Sequence, residues 1–234
     1  MKFLVRLALM SAIAAPAAFA QSSSQDIVID PSTTPLPGSN QIFVLQDSTS
    51  GSGNTLFVDQ SGARNSLVTG NSSGTAPATQ FGSNNSAEVS IVGDGGRLIL
   101  NQGTAAAPGT GNQAFATLSG SNPLGTIQQL GTDNIANLTI DGLATGELFQ
   151  DGEGNDGALT VTGNNAFGRL EQIGSNLEQA LTVTGNNTEV TFTLTGNALA
   201  PVTANNSGTA TQGGVQVITN ANSVTISQSA FPSR

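Results

Sequence analysis

Apolar and polar residues alternate with a period of two along much of the chain. In the segment 134–140, Ala136, Leu138 and Ile140 fall on one side, and Asn137 and Thr139 on the other. In 158–162, Leu159 and Val161 share a side while Thr160 and Thr162 point away. The same spacing recurs in Leu98-x-Leu100-x-Gln102, Gly146-x-Leu148-x-Gln150 and Val190-x-Phe192-x-Leu194. Successive side chains of a strand point to opposite faces, so these segments are predicted as short strands with one buried face.

The strands repeat. The octapeptide ALTVTGNN occurs at 158–165 and again at 180–187. Glycines recur at Gly120, Gly131, Gly142, Gly152, Gly163, Gly174, Gly185 and Gly196, at steps of 11 or 10 residues. Two residues before them stand Leu118, Gln129, Ile140, Gln150, Val161, Gln172, Val183 and Leu194. Glutamine alternates with aliphatic residues through most of this run, so the true unit is about 22 residues with two similar halves. The register extends back through Gln102, Ile91 with Gly93, Gln80 with Gly82 and Gln60 with Gly62, and forward to Val217 and Gln228.

Two strands of about five residues cannot bury a face alone, so consecutive units must stack. The expected fold is all-β, a flat two-sided β-solenoid (a cross-β stack) of about eight 22-residue strand-turn-strand repeats. It would rise roughly 4.8 Å per unit. Glycine suits turns needing positive φ, and asparagine tolerates them while bonding its own backbone. The runs 47–53, 103–111 and 200–212 read as insertions at turns, where extra residues are tolerated.

Stacking turns equivalent residues into columns. Gln60, Gln80, Gln102, Gln129, Gln150 and Gln172 are expected to form one buried column, each amide bonding the next. A buried amide without a partner costs roughly 1–3 kcal/mol, and ladders of this kind occur in cross-β stacks. Four units share Gln-x-Gly-x-x-Asn, which adds Asn65, Asn85, Asn134 and Asn155 to the assembly ladder. The turn glycines are Gly62, Gly82, Gly131, Gly152, Gly163, Gly174, Gly185 and Gly196. Thr117, Thr139, Thr160 and Thr182 form an outward column that β-propensity and solubility explain. The acidic stretch 151–156 coincides with an ordinary Gln-x-Gly-x-x-Asn turn and lacks the terminal bidentate Glu of a calcium loop. Glu147 and Asp151 are a carboxylate pair that nothing in the sequence places in a cleft.

Composition narrows the function. Histidine and cysteine are absent, which removes the usual general bases, thiolate nucleophiles and soft-metal ligands. No enzyme activity, metal or cofactor is expected. Residues 1–20, MKFLVRLALMSAIAAPAAFA, carry Lys2 and Arg6 before an apolar run ending in Ala18-Phe19-Ala20. They read as a secretory signal peptide cut before Gln21, with no membrane span in the mature chain. Cleavage would leave four arginines against 15 carboxylates, a net charge of about −11. That balance disfavours nucleic acid and anionic membranes. Residues 21–41 read as a flexible leader, 42–228 as the repeat region and 229–234 as a C-terminal tail.

The 22-residue unit, of the form x-aliphatic-x-Gln-x-Gly-x-x-Asn-x-Ala-x-aliphatic, resembles the curlin repeats of bacterial curli fibre subunits. The likeness is best at 98–102, 127–140 and 148–172. It implies a secreted subunit, exported through the periplasm, that assembles on the extracellular cell surface into amyloid fibres (a fimbrium) supporting cell adhesion and biofilm. The implied partners are further copies of the chain, a nucleator or major curlin subunit, and an outer-membrane curli secretion pore. The chain departs from the family unit at Ile91, Leu118, Ile140, Val161 and Val183, which replace its second glutamine. It departs again at Leu177, where asparagine is expected, and at Leu194. Major subunit and nucleator both remain open. The competing reading is a monomeric β-solenoid adhesin or surface-binding protein whose ends are capped.

Overall fold

The computed structural model describes residues 3–8, 26–30, 40–48, 53–61, 63–142, 144–163, 166–184, 189–197, 202–207 and 225–229. The chain is all-β: among these residues every regular element is a strand, and the strands form two sheets. Numbered in chain order, the first sheet holds β1 (Phe3–Ala8), β3 (Gln41–Asp47), β5 (Leu67–Thr69), β6 (Ala78–Ser83), β8 (Arg97–Gln102), β9 (Gly109–Thr110), β11 (Leu124–Thr132), β13 (Leu148–Glu153), β15 (Phe167–Ser175) and β17 (Glu189–Asn197). The second holds β2 (Asp26–Asp30), β4 (Thr55–Asp59), β7 (Ser86–Ile91), β10 (Gln113–Leu118), β12 (Ile135–Ile140), β14 (Asp156–Thr162), β16 (Glu178–Thr184), β18 (Val202–Ser207) and β19 (Thr225–Ser229). Pairing is parallel, except that β1 runs antiparallel to β3.

From β11 to β18 the chain passes from one sheet to the other at each turn, so a strand pairs with the next but one in sequence. Equivalent residues therefore stack. Leu100, Ile127, Leu148, Leu170 and Phe192 stand in register on the inner face of the first sheet. Val58, Val89, Ala116, Leu138, Leu159 and Leu181 do so on the second. These buried side chains join in one apolar cluster between the sheets. The repeated alternation is thus a consequence of two facing parallel sheets, each with one inner face.

The two inner faces exchange volume. The first-sheet column runs Ile42, Val68, Leu98 and then Gly125, with Gly168 further along, beside the bridges Leu124 to Thr145 and Thr145 to Phe167. A Cβ on Gly125 would lie 2.8 Å from Leu138 Cδ2, and one on Gly168 would lie 2.9 Å from Val161 Cγ2. Glycine enters the first sheet where the second supplies its bulkier residues. Close packing leaves no room for both.

Insertions stay at the ends or edges of strands. Residues 104–108 are exposed and lengthen one turn. A second insertion, which the repeat register does not reveal, occupies 70–77 and divides one level of the first sheet into β5 and β6, both paired with β3 and β8. Asn71 closes this loop, its Oδ1 accepting from Thr75 N at 2.9 Å and Ala76 N at 3.2 Å, and Arg97 donates to Ser72 O.

The N-terminal region differs from expectation in two places. Asp26–Asp30, within the stretch read as a leader, continues the second sheet beside β4, with Ile27 opposite Leu56 and Ile29 opposite Val58. Phe3–Ala8, within the export-type segment, lies along the outer edge of β3. The rest of 1–20, most of 21–41 and residues 230–234 lie outside the described residues. No helix among the described residues is long and apolar enough to cross a membrane.

Gly125→Val is expected to lower the unfolding free energy by about 1–3 kcal/mol through overpacking against Leu138 and Ile140. Val92→Ala, at an exposed site, should change it by less than about 0.5 kcal/mol. Urea denaturation midpoints of the two variants check the contrast.

Candidate functional site

The buried polar residues form two lines along the edge of the core. Gln46, Gln80, Gln102, Gln129, Gln150 and Gln172 occupy equivalent positions in successive first-sheet strands, and all are buried. Gln46 Nε2 donates to Gln80 Oε1, and Gln80 Nε2 donates to Gln102 Oε1 at 2.7 Å. The sequence continues from Gln102 to Gln129 at 2.9 Å, to Gln150 at 3.0 Å and to Gln172 at 2.8 Å. Each amide from Gln46 to Gln150 donates to the next glutamine toward the C-terminal end of the stack.

This direction is fixed by the backbone. Gln129 Nε2 also donates to Gln113 O and Asn134 O, each at 2.9 Å. Gln150 does the same to Ile135 O and Asn155 O, and Gln172 to Asp156 O and Leu177 O. Turning one amide over would set its oxygen against two carbonyl oxygens and leave it without donors. The network is satisfied only with all amides aligned.

A second line stands one turn away. Asn54, Asn85, Asn112, Asn134 and Asn155 are fully buried. Each Oδ1 accepts the backbone N–H at the equivalent position of the next level: Asn112 Oδ1 from Asn134 at 3.1 Å, Asn134 Oδ1 from Asn155 at 3.1 Å, Asn155 Oδ1 from Leu177 at 3.0 Å. Each Nδ2 donates to a glycine carbonyl of that level, as Asn112 does to Gly131 and Asn134 to Gly152. Asparagine clips one turn to the next. Leu177 ends the line, receiving the last clip through its backbone without offering another.

Between glutamine and asparagine the turn needs two left-handed residues. The first is the glycine of Gln-x-Gly: Gly82, Gly131, Gly152 and Gly174 have φ of 105°, 95°, 128° and 140°. A Cβ on Gly131 would lie 2.1 Å from Gly152 O, so close approach of neighbouring levels adds a steric demand to the conformational one. The second precedes the clip position: Asn84, Gly111, Asp133 and Gly154 before the asparagines and Asn176 before Leu177, with φ between 54° and 69°. Only glycine and short polar residues visit this region readily.

The remaining sequence-derived positions fall elsewhere. Gln60 does not join the stack. It follows β4 in the second sheet, at the level where β7 carries Ile91, and its buried Nε2 has no hydrogen-bond partner among the described residues. Gln46 takes the place expected of it. Asn65 is exposed with φ 55°, so it is a turn residue and not a clip. The clips Asn54 and Asn112 lie where insertions change the spacing from the preceding glutamine. Gly163 (φ 62°) belongs to the opposite turn, and a Cβ there would meet nothing within 4 Å. Gly196 pairs in register with Gly174, while Gly62 and Gly185 lie outside the described residues.

The column facing the glutamines opens on Leu56 and is small thereafter: Leu56, Ala87, Ala114, Ala136 and Gly157 stand in register, and a Cβ on Gly157 would lie 2.9 Å from Gln150 Nε2 and 3.0 Å from Gln172 Oε1. At the next level Gln172 is followed by Leu194, and the facing column changes to Gln179. Gln179 is buried, with Nε2 donating to Phe192 O at 3.1 Å and Oε1 unpartnered. The stack ends where glutamine crosses to the other sheet.

The outer faces carry little specific chemistry. Thr117, Thr139, Thr160 and Thr182 line up outward on the second sheet. Glu147 pairs with Arg169 at 3.8 Å, and Asp151 is exposed on β13. Asp156 is exposed along its strand, but partial desolvation of its carboxyl pushes it above its ordinary value. Its charged form is thus disfavoured by folding, a penalty present above the folded pKa and lost as pH falls below the unfolded one.

Gln129→Ala removes the acceptor for Gln102, the donor for Gln150 and the donor to two buried carbonyls. A loss of about 2–4 kcal/mol is expected. Thr139→Ala, on the exposed face, should cost less than about 0.5 kcal/mol, and equilibrium urea unfolding separates the two. Asp156→Asn should raise stability at neutral pH, with the gain disappearing below the carboxylate range in unfolding curves taken across pH.

No family model matches the chain, and no curated protein or solved structure matches it.

Proposed function

We propose that the chain is a structural subunit of curli-type amyloid fibres, a flat two-sided solenoid of about eight 22-residue units that polymerises by stacking its end strands on those of another subunit. The observation that carries this reading is the directional glutamine stack, in which each level presents the next with the amide it needs. The stack ends at Gln172, which Leu194 follows, so growth past β17 rests on backbone pairing: among the described residues no strand pairs with the outer edge of β17 or of β19. Unpaired edges of parallel sheets template further strands.

Secretion to the cell surface, adhesion and biofilm support belong to the same proposal, as do an outer-membrane secretion pore and a nucleating or major curlin subunit as partners. The composition suits it. With neither histidine nor cysteine the chain has no usual catalytic base or thiol, and low charge keeps strand-to-strand repulsion small.

A second reading has its own observation. Phe3–Ala8 covers the outer edge of β3, as a cap would in a monomeric β-solenoid adhesin. The two readings diverge in solution. As a fibre subunit, the purified mature chain, from Gln21 onward, polymerises, binds an amyloid dye, seeds fresh monomer and diffracts with a spacing of about 4.7–4.8 Å. A product of fixed size with no seeding activity would overturn the fibre reading and leave the capped monomer. If polymers form, Gln129→Ala should elongate several-fold more slowly than Thr139→Ala.

A further inference from the structure

The chain contains four Asp-Gly dipeptides, at 94–95, 141–142, 151–152 and 156–157. Such a pair is prone to spontaneous isomerisation, because glycine sets no side chain in the way when its main-chain nitrogen attacks the preceding carboxyl carbon. The reaction needs an amide nitrogen free to attack and a carboxyl beside it. The fold meets that condition very unequally at the four places.

At three of them the glycine is engaged. Gly95 N donates to Arg64 O at 2.7 Å. Gly152 lies in β13 between Gly131 and Gly174, and Gly157 lies in β14 between Ala136 and Gln179, so both stand in strands paired on either side. Gly142, just past the end of β12, differs. Its N–H donates to Oδ1 of Asp141 at 2.7 Å and makes no other hydrogen bond among the described residues. Asp141 N is anchored on Val161 O at 2.9 Å, while the residue itself is exposed to water. Attacking nitrogen and target carboxyl are thus held side by side at the one Asp-Gly pair whose amide no other main-chain group takes up.

We propose that Asp141 is a site of spontaneous isoaspartate formation in the folded protein. Gly142 N attacks Cγ of the Asp141 carboxyl in its acid form. The N–Cγ bond forms, the bond from Cγ to the hydroxyl breaks, the amide proton joins the departing hydroxyl, and one water leaves behind a succinimide ring. Water then adds back to one of the two ring carbonyls. Addition at Cγ restores aspartate, and addition at the main-chain carbonyl gives isoaspartate, of equal mass but with the chain now running through Cβ and Cγ. The turn has no space for that longer path: a Cβ on Gly120, in the level before, would lie 2.3 Å from Gly142 N and 2.4 Å from Gly142 Cα. One added main-chain carbon therefore loosens the turn between β12 and β13 and its contact with the preceding level. This holds for a fibre subunit and for a capped monomer alike.

The test incubates the mature chain, from Gln21 onward, both folded in buffer and unfolded in guanidinium chloride. Peptide mapping with fragmentation that separates isoaspartate from aspartate then reads each dipeptide. In the folded chain, isoaspartate should build up at 141 about tenfold or more faster than at 94, 151 and 156, whose amides must first be released by local opening. In the unfolded chain the four should react at similar rates. Asp141→Glu, which keeps the charge but would have to close a larger ring, should abolish most of the labelling of the folded chain by an isoaspartyl methyltransferase. The isomerised fraction, separated chromatographically, should unfold at a lower urea midpoint than the unmodified chain. Equal rates at the four places in the folded chain, no isoaspartate at 141 where the unfolded chain accumulates it, or undiminished labelling of Asp141→Glu would overturn the proposal. Equal urea midpoints would overturn the loosened turn.

Discussion

A side-chain amide taken out of water must find all of its hydrogen bonds in the protein, and this constraint organises the rest of the molecule. Gln129 shows what it requires. Its oxygen needs a donor from the level behind, one proton needs an acceptor in the level ahead, and the other needs the carbonyls of Gln113 and Asn134. These conditions are met together only when another glutamine stands at the same height on each side. Register is set by the polar line, since a one-residue slip would bury amides without partners and turn the apolar set outward.

The demand spreads from the stack into the core. Most of the inward glutamines face small residues, Ala87, Ala114, Ala136 and Gly157, while Leu56 opens the same column. Where the first sheet abandons glutamine at Leu194, the second supplies Gln179. The asparagine clips lock the turns to the same register through backbone groups, so the next level's main chain is held even where its side chain changes, as at Leu177. The outer faces are free of these demands, and they vary accordingly between phenylalanine, glutamate, asparagine and alanine along a single column.

The strands, the sidedness of each strand and most of the glutamine stack were legible in the sequence because each rests on a local spacing. What escaped was long-range. The insertion at 70–77 moves Gln80 away from Gln46, a separation of 34 residues, so a search at a step of about 22 settles instead on Gln60, which is 20 residues away but belongs to the other sheet. Asn112 escaped for a similar reason: the exposed residues 104–108 part it from Gln102. The two turns of a unit both use glycine, and spacing alone merged Gly163 with the column of Gly152 and Gly174. The pairing of β1 and β2 had no signal in the repeat, since neither segment carries the Gln-x-Gly turn.

Side-chain amide proton exchange, followed by NMR on the monomeric chain, tests the buried directional stack most directly. The Nε2 protons of Gln102, Gln129 and Gln150 should exchange orders of magnitude more slowly than those of Gln113, which lies on the exposed face of β10, and at rates near those of backbone amides in the same strands. Equal, rapid exchange at all four glutamines would contradict the account, because amides open to water could neither fix the register nor pass it to a neighbour.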